Sequence, residues 1–328
     1  MEKIPVAIIG LGRIASLLED DALREKPCTH AGAAAANPGC RLVAGCDTSE
    51  ERRRLFAERW GVEVYADAGA MLEAHKPGIV HIATHPDSHY RYCALAARYG
   101  VPVAVCEKPL ADTLRSARKI AALCRKGPIR ILANHERRYA ADYLKARAIL
   151  DEERLGPLLC VRAALCMGRT KRLLDVLWHD GTHLADAAMF LAGAVLRNRD
   201  HWGAKLGGRT GTAWLEGRLE RGPKSVPFLL ELGAERDHLV FELEFSCVRG
   251  RLRIGNGVFE VWKSAESPYA EGFRSLKRTG DAFNGPTGYF AGMVEDAVAC
   301  CRDPARQPRS GAEDALRVIE YLHSVRPW

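Results

Sequence analysis

Two short stretches of this sequence carry side chains that can exchange protons. In the first, the Glu-Lys-Pro at positions 107–109 follows directly on the apolar run VPVAVC; in the second, HDGTH, His179, Asp180 and His183 come close together. An imidazole titrates near neutral pH, and a lysine partly removed from water becomes less basic, so both can take up or release a proton. The residue types therefore indicate acid–base chemistry.

The second stretch begins a helix that we predict over residues 180–192. Positions four apart share a helix face, so His179 and His183 can converge while Asp180 points about 100° away; alternatively Asp180, three residues from His183, is its neighbour. We predict His183 as the main general acid/base. Asp186, deeper in the helix, is expected to be structural.

A glycine-rich turn follows the first apolar run of the chain. VAIIGLGRIA gives Gly10, Gly12 and Ala15 in a G-x-G-x-x-A pattern, which lets a backbone turn approach a pyrophosphate closely. Asp47 ends a second predicted strand, where its carboxylate can bind the adenosine ribose. It lies 32 residues beyond Ala15 instead of about 20, and we interpret residues 16–31 as an inserted loop.

The acid at position 47 also bears on which dinucleotide fits. A carboxylate there favours NAD, because it would repel a 2′-phosphate. Arg13, Arg52 and Arg53 leave NADP open, but for Arg52 and Arg53 we prefer the interpretation that they are arginines of an exposed helix surface.

Length and composition exclude several classes of protein. A chain of 328 residues with 47% hydrophobic and 27% charged residues is typical of a globular protein of two domains. No apolar stretch reaches the roughly 20 residues that span a bilayer. The start, MEKIPVAIIG, lacks the pattern of a secretory signal, so we expect a cytoplasmic protein with no membrane partner.

The cysteines and the charge exclude further classes. The 11 cysteines are spread mostly singly through apolar runs, which favours free thiols and no metal site. The net charge of +7 comes from scattered arginines without interleaved aromatics, so we expect no nucleic-acid partner. A small anionic substrate would suit the sign of the charge.

The elements that position these residues change in character along the chain. Apolar runs alternate with helical stretches up to about residue 134, which predicts a parallel sheet, with Asp112 capping a helix from position 114. From residue 157 strands follow one another, which predicts an antiparallel sheet. The predicted strands are 5–10, 41–47, 79–84, 102–106, 129–133, 158–166, 212–219, 226–247 and 251–262, and the later helices are 180–192, 288–301 and 312–324.

Several motifs in order, AGCD, IATHPDSH, CEKP, NHERRY and WHDGTHLAD, extend this pattern almost from end to end. The sequence resembles the Gfo/Idh/MocA family of dehydrogenases. The resemblance implies an α/β protein: an N-terminal Rossmann domain with a doubly wound parallel sheet over residues 1–134, and a C-terminal α+β domain with a large, mostly antiparallel sheet over residues 135–328. A substrate cleft would lie between them.

The resemblance also implies roles for individual residues. Glu107 would hold the nicotinamide ribose, Lys108 would bind the reacting oxygen of the substrate and help to move its proton, and Pro109 would be cis. His89 reads more as a helix cap or packing residue than a reacting group. The other positions expected at the cofactor, with His89 among them, are Gly10, Gly12, Arg13, Ile14, Ala15, Asp47, Thr84, His85 and Pro86.

On the substrate side, the family usually has an aspartate and a histidine separated by three residues. Here His179 takes the aspartate position and His183 the histidine position, with Asp180 displaced by one, so either His179 or Asp180 can fill the aspartate role. The residues expected to bind substrate are Lys108, Asn134, Arg137, Arg169, His179, Asp180 and His183. For Arg169 and the neighbouring Lys171 and Arg172, solvated loop charges are an equal alternative.

The function implied by the resemblance is hydride transfer between NAD, or NADP, and a secondary alcohol or ketone of a sugar, cyclitol or nucleotide sugar. Two alternatives stay open: a catalytically inactive nicotinamide-binding regulator, and a reductase of a non-sugar substrate. The family further implies a homodimer or homotetramer formed through the C-terminal sheet.

Overall fold

The computed structural model describes residues 2–168 and 172–325, so Arg169 and Lys171 lie outside the described residues. The chain divides into two compact units. The first contains the residues up to Ala140 and also Pro286–Ile319; the second contains Ala141–Gly285 and the end of the chain from Glu320. The boundary expected from the sequence was residue 134, and the return of 286–319 to the first unit was not foreseen.

A six-stranded parallel sheet forms the centre of the first unit. Its order, β3-β2-β1-β4-β5-β6, is that of the doubly wound Rossmann fold, with the switch point between β1 and β4. The strands are β1 (Ile4–Ile9), β2 (Cys40–Cys46), β3 (Glu63–Tyr65), β4 (Ile79–Ile82), β5 (Val103–Cys106) and β6 (Arg130–Ala133). The predicted parallel sheet is confirmed, and only the three-residue β3 had no counterpart in the prediction.

Strands β4 and β5 are buried over their whole length, as expected where helices cover both faces of a parallel sheet. The first five helices are α1 (His30–Ala36), α2 (Glu50–Trp60), α3 (Ala68–His75), α4 (His89–Arg98) and α5 (Leu114–Lys126). Thr113 caps α5 by accepting a hydrogen bond from the N–H of Ser116, so the prediction of Asp112 as the cap is wrong.

An eight-stranded sheet forms the second unit, in the order β14-β13-β12-β11-β7-β10-β9-β8. The strands are β7 (Leu158–Cys166), β8 (Val195–Gly203), β9 (Thr212–Arg221), β10 (Lys224–Gly233), β11 (Val240–Cys247), β12 (Gly250–Gly255), β13 (Val258–Glu266) and β14 (Arg274–Arg278). All neighbours run antiparallel except β7 and β10. The mostly antiparallel sheet is therefore confirmed. Strands β8 and β14 have no counterpart in the prediction, and the predicted segments 226–247 and 251–262 each contain two strands.

One face of this sheet is apolar and the other is charged. Along β11 buried and half-buried residues alternate, with Leu243 and Phe245 on the apolar face. Helices α6 (Ala141–Asp151), α7 (Leu173–His179) and α8 (Gly181–Ala192) belong to the same unit, and α7 and α8 pack against the sheet.

The charged face carries ion pairs that cross from strand to strand. Arg253 on β12 pairs with Glu242 on β11 and with Glu260 on β13, where the nitrogen–oxygen distance is 3.4 Å. Arg251 pairs in the same way with Glu244 at 3.3 Å. Because each pair sits at neighbouring positions of adjacent strands, the face is polar and largely neutralised.

Two helices close the chain, α9 (Tyr289–Arg302) and α10 (Ala312–Ser324), within a residue or two of their predicted bounds. Helix α9 packs on α1 and β5 and contributes Phe290 and Met293 to the core of the first unit. Among the described residues, none of the helices has the length and apolar character to cross a membrane.

Candidate active site

The glycine turn sits where β1 ends, at the switch point of the sheet. Gly10 has φ +88°, and a Cβ there would lie 2.7 Å from the carbonyl oxygen of Ala83, so only glycine fits. At Gly12, by contrast, the one described group within 4 Å of such a Cβ is the guanidinium of Arg52, at 3.9 Å. Gly12 therefore leaves an open surface against the turn, which suits close approach by a pyrophosphate.

Backbone N–H groups line this open surface. Within the described part of the chain, those of Gly12, Arg13 and Ile14 have no hydrogen-bond acceptor, whereas the N–H of Leu11 donates to Asp47. Unpaired N–H groups in a tight turn attract an anion. The residues present thus fit the phosphates of a dinucleotide.

Asp47 holds the glycine turn in place. Its Oδ2 accepts from the N–H of Leu11 at 2.8 Å and its Oδ1 from the N–H of Ser49 at 2.9 Å, while the guanidinium of Arg52 lies 3.6 Å away. Arg53 donates to the backbone carbonyls of Asp47 and Thr48, so its guanidinium is already bound to protein. Of the three arginines that could bind the 2′-phosphate of NADP, Arg52 is the one whose guanidinium lies beside Asp47.

The inserted segment leaves the turn and returns to the same place. The carbonyls of Ile14 and Ala15 accept from the N–H groups of His30 and Ala31, at 3.2 and 2.9 Å, so α1 starts directly beside the turn. Without the excursion the spacing from Ala15 to Asp47 would be about 18 residues, near the usual value. The inserted loop is confirmed for residues 16–29, while the predicted end at residue 31 is wrong because α1 already begins at His30. The loop contains a short 3₁₀ helix, Leu17–Asp20.

Glu25, inside the inserted segment, binds the start of α9. Its carboxylate accepts from the backbone N–H groups of Thr287 and Gly288, both at 2.7 Å, and from the hydroxyl of Thr287 at 2.8 Å. Partial burial raises the pKa of Glu25, but these hydrogen bonds outweigh it and the pKa is lowered. The direction of the loop, which the sequence left open, is thus toward the N-terminus of α9.

At the end of β5, the Glu107 carboxylate is almost fully buried and hydrogen-bonded. Its Oε1 accepts from the side-chain amide of Asn134 at 2.6 Å and lies 2.8 Å from Nε2 of His30. Burial would raise the pKa of Glu107, but the hydrogen bond and charge of His30, the amide of Asn134 and the charge of Lys108 lower it to about 2. The carboxylate is therefore ionised at neutral pH.

Behind His30 stands a second buried histidine, His81, in the middle of β4. Its Nδ1 lies 2.8 Å from Nδ1 of His30, and the two rings meet edge to face. Burial, followed by the nearby His30, lowers the pKa of His81 well below its usual value, so this ring is neutral. A line of hydrogen bonds thus runs from His81 through His30 and Glu107 to Asn134.

The turn after Glu107 is fixed by a third histidine. The Lys108–Pro109 peptide bond is cis, as the resemblance implied. Nδ1 of His89 lies 3.1 Å from the Pro109 carbonyl oxygen and 3.2 Å from that of Leu110, while Nε2 lies 3.0 Å from the Thr84 carbonyl oxygen. His89 is buried and connects the two loops, which fits the packing role suggested for it and not a cofactor contact.

The neighbouring positions expected at the cofactor lie at the same edge of the sheet. Thr84, His85 and Pro86 form the turn between β4 and α4, with His85 exposed and the Thr84 hydroxyl 2.7 Å from that of Ser88. Lys108 is half-buried. Because β1, β4 and β5 are adjacent and parallel, the glycine turn, Thr84 and Lys108 share the carboxyl edge of one sheet.

Two of the expected substrate residues in the first unit have protein partners. Asn134 is 2% exposed, and its side-chain amide nitrogen donates a hydrogen bond to the carboxylate of Glu107. Arg137 lies 3.4 Å from Glu136. Burial raises the pKa of Glu136, although Arg137 opposes this.

In the second unit, His179 and His183 lie on different helices. His179 is the last residue of α7 and His183 is in the first turn of α8, with Asp180 between the two helices. The two residues therefore do not belong to one continuous helix, because α7 ends at His179 and α8 begins at Gly181, with Asp180 between them in a helical backbone conformation. Nδ1 of the exposed His179 lies 3.0 Å from Oδ1 of Asp180, and the N–H of His183 donates to the Asp180 carbonyl.

The remaining positions of this region separate into structural and solvated ones. Asp186 is buried within α8, consistent with a structural role. Arg172 makes two hydrogen bonds to Asp175, at 2.8 and 2.9 Å, on an exposed surface. Among the described residues there is no group of three or more histidine, cysteine or acidic side chains that could hold a metal ion.

Comparisons with known proteins agree with this geometry. The model of the Gfo/Idh/MocA family, described as an oxidoreductase family with an NAD-binding Rossmann fold, matches residues 4–135. Inositol 2-dehydrogenase of Streptomyces avermitilis is 30% identical over 269 residues, which is 75% of this chain and 74% of that protein. The chain belongs to the Gfo/Idh/MocA family.

Other relatives match over shorter stretches. D-apiose dehydrogenase of Paraburkholderia graminis is 32% identical over 173 residues, 48% of this chain and 45% of that protein, so the chain spans about half the length of this relative. Among solved structures, the WlbA dehydrogenase from Bordetella pertussis, crystallised with NADH and UDP-GlcNAcA, has a TM-score of 0.76 at 16% identity, covering 99% of this chain and 95% of that one. That likeness concerns the fold.

Proposed function

We propose that this protein is an NAD(P)-dependent dehydrogenase that transfers hydride between nicotinamide and a secondary alcohol or ketone of a sugar, cyclitol or nucleotide sugar. The observation that carries the proposal is the shared edge of the parallel sheet. There an open glycine turn lies at the switch point, and an ionised Glu107 with Lys108 ends the strand two places along. The sugar class is supported by the named relatives.

The chain's residues would bind and orient the dinucleotide, which supplies the hydride acceptor when bound. The N–H groups of Gly12, Arg13 and Ile14 would bind the pyrophosphate, and Asp47 the adenosine ribose, with Arg52 beside the position of a 2′-phosphate. Glu107 would accept a hydrogen bond from the nicotinamide ribose. Thr84, His85 and Pro86 would line the side of the ring.

Proton control would fall to Lys108 and His183. As hydride leaves the substrate carbon, the hydroxyl proton must be accepted, and a lysine or imidazole within hydrogen-bond reach can take it. In this proposal Lys108 binds the reacting oxygen and His183 is the acid/base, with His179 or Asp180 orienting it. Asn134, Arg137 and Arg169 would contribute to substrate binding.

The test is reduction of NAD and of NADP by the purified protein, followed at the nicotinamide absorbance band with a panel of polyols, sugars and nucleotide sugars. The parent should reduce cofactor, and Lys108→Ala should lower kcat by about 10²–10⁴-fold, the contribution of a positioned acid or base. Lys277→Ala, an exposed lysine on strand β14, is the matched control and should leave kcat unchanged.

Failure of the test separates the alternatives. A parent that binds NADH but turns over none of the panel would favour the nicotinamide-binding regulator, which the displaced Asp180 also suits. Turnover of non-sugar carbonyls alone would favour the other reductase. Equal rates for Lys108→Ala and the parent would remove Lys108 from the mechanism.

We also propose a cytoplasmic homo-oligomer. All 11 cysteines are free thiols, which suits a reducing compartment. The charged face of the eight-stranded sheet is the surface we propose for association into a dimer or tetramer, and light scattering measures the mass.

A further inference from the structure

Two buried histidines behind Glu107 have no role in the proposed hydride transfer. His30 and His81 are both 0% exposed. Nε2 of His30 lies 2.8 Å from Oε1 of Glu107, and its Nδ1 lies 2.8 Å from Nδ1 of His81. Both nitrogens of His30 are therefore engaged, one with the carboxylate and one with a second imidazole.

The chemistry of the carboxylate fixes the direction of the hydrogen bond between His30 and Glu107. An ionised carboxylate only accepts, so Nε2 of His30 must carry a proton and donate to Glu107. If His30 is neutral, its Nδ1 accepts from His81; if His30 is protonated, it donates to His81 as well. In both forms His81 holds the ring of His30 with Nε2 directed at Glu107.

The buried pair of histidines is less favourable for stability than apolar side chains at the same positions would be. Nε2 of His81 is buried, and within the described residues it has no hydrogen-bond partner. A buried polar atom left in this way destabilises the fold, because its lost hydration is not replaced by a hydrogen bond. An apolar side chain on β4 would avoid that cost, so the pair of imidazoles points to a task at Glu107.

The two oxygens of Glu107 are unequally occupied. Oε1 is held by His30 and by the amide of Asn134 at 2.6 Å. Within residues 2–168 and 172–325, Oε2 has one long contact, with the N–H of Lys108 at 3.3 Å. A carboxylate oxygen accepts two hydrogen bonds, so Oε2 retains capacity for a further donor.

We propose that His30 is a positioning residue, oriented by His81, which together with Asn134 holds Oε1 of Glu107 and so leaves Oε2 to accept a hydroxyl of the nicotinamide ribose. The inference rests on the proposed function, because it assigns a supporting part to the cofactor site. Without the imidazole donor the buried carboxylate turns toward another partner or takes up a proton, and cofactor affinity falls.

Two substitutions of similar size separate the two contacts of His30. In His30→Gln the amide nitrogen replaces Nε2 and keeps the contact with Glu107; in His30→Asn the amide replaces Nδ1 and keeps only the contact with His81. We expect His30→Gln to bind NADH within about threefold of the parent and His30→Asn to bind about tenfold more weakly, measured by nicotinamide fluorescence. His75→Asn, at a half-buried histidine hydrogen-bonded to Tyr65 and away from Glu107, is the matched control.

A double-mutant cycle shows whether His30 acts through Glu107. Glu107→Gln alone should weaken NADH binding, and adding His30→Asn should then change it little, because effects that run through one contact are not additive. If His30→Asn binds NADH like the parent while Glu107→Gln does not, the positioning role is overturned and the proposed function stands. Equal loss in both backgrounds would also overturn it. A parent without NADH binding would instead remove the proposed function.

One measurement on the parent works even where a variant does not fold. The proton on Nε2 of His30 should give a strongly hydrogen-bonded NMR resonance that shifts when NADH is added. A resonance insensitive to NADH would contradict the proposal.

Discussion

The two sheets of this protein place their charged residues in opposite ways. In the parallel sheet, β4 and β5 are buried throughout and polar side chains such as Glu107, Lys108 and Asp47 stand beyond the carboxyl ends of the strands. In the eight-stranded sheet, ion pairs such as Arg253 with Glu242 lie along the strands on one whole face.

The difference shows what each sheet can do with its charges. A strand buried on both faces excludes charge from its length, so its polar groups collect at one edge. There Glu107 is buried, and its hydrogen bonds and neighbouring charges lower its pKa to about 2. A half-exposed sheet spreads opposite charges over a screened surface, where each pair contributes little. We therefore expect substitutions to have large effects at the edge of the first sheet and small ones on the face of the second.

The largest expected effect is at the glycine turn. Gly10→Ala forces a Cβ at positive φ to within 2.7 Å of the Ala83 carbonyl oxygen, and should lower the free energy of unfolding by about 3 kcal/mol. Gly222→Ala is the counterpart in the second unit, at φ +56° with nothing within 4 Å, and should cost about 1 kcal/mol. Urea unfolding measures both, and equal losses would contradict the role of the contact with Ala83.

A similar loss is expected when Glu107 is titrated. Its pKa is depressed from 4.5 to about 2, so its contribution is complete above pH 4.5 and is lost as the pH falls toward 2. The difference in unfolding free energy between the parent and Glu107→Gln should shrink by roughly 3 kcal/mol over that window. A pH-independent difference in chemical denaturation would show that the carboxylate is not stabilised as the structure indicates.

A smaller effect is expected at Arg52, which lies 3.6 Å from Asp47. Removing this cation should weaken NADP binding by about tenfold and leave NAD binding nearly unchanged, because only the 2′-phosphate needs a positive partner. Arg54→Ala, on the same helix and paired with Glu58, serves as the control. The ratio of the two dissociation constants is the readout, and an unchanged ratio in Arg52→Ala would remove Arg52 from cofactor choice.

The smallest effect belongs to the charged face of the second sheet. Glu242→Gln breaks a half-exposed pair with Arg253 and should lower the free energy of unfolding by less than about 1 kcal/mol, and by less still in 1 M salt. The measurement is unfolding in urea, which is uncharged and leaves the ionic strength to be set by the added salt. A loss of several kcal/mol would mean that this face is much less screened than its exposure indicates.

The elements that could be predicted from sequence are those whose pattern is local. The helix ending the chain was predicted with its bounds, since its apolar positions recur at helical spacing, and the buried strands of the parallel sheet are continuous apolar runs. Strands β8 and β14, with sequences VLRNRDHWG and RSLKR, are rich in charge and lie at the sheet edges, where only pairing defines them. The interrupted helix between His179 and His183 was likewise not visible from spacing.

The same limit applies to the site. Glu107 and Lys108 were predictable, because an acid and a base directly after an apolar strand mark the ligand edge of a parallel sheet. His81 was not, since a histidine inside the strand IVHI reads as core, and its contact with His30 joins residues 51 apart in the chain. The one sequence signal was His30 itself, at the end of a segment that breaks the usual spacing.

The two ends of the inserted segment, residues 16–29, lie side by side, so this segment could be exchanged for another. Ile14 and Ala15 accept backbone hydrogen bonds from His30 and Ala31, and Thr29 caps α1 by accepting from the N–H of Gly32. With Thr29 kept, the junction between strand and helix does not require a particular length of chain before it. Loops whose ends already meet tolerate changes of length at little thermodynamic cost. A grafted or shortened segment would therefore change the residues next to the glycine turn and remove the hydrogen bonds of Glu25 to the start of α9. The parallel sheet would keep its strands and their order.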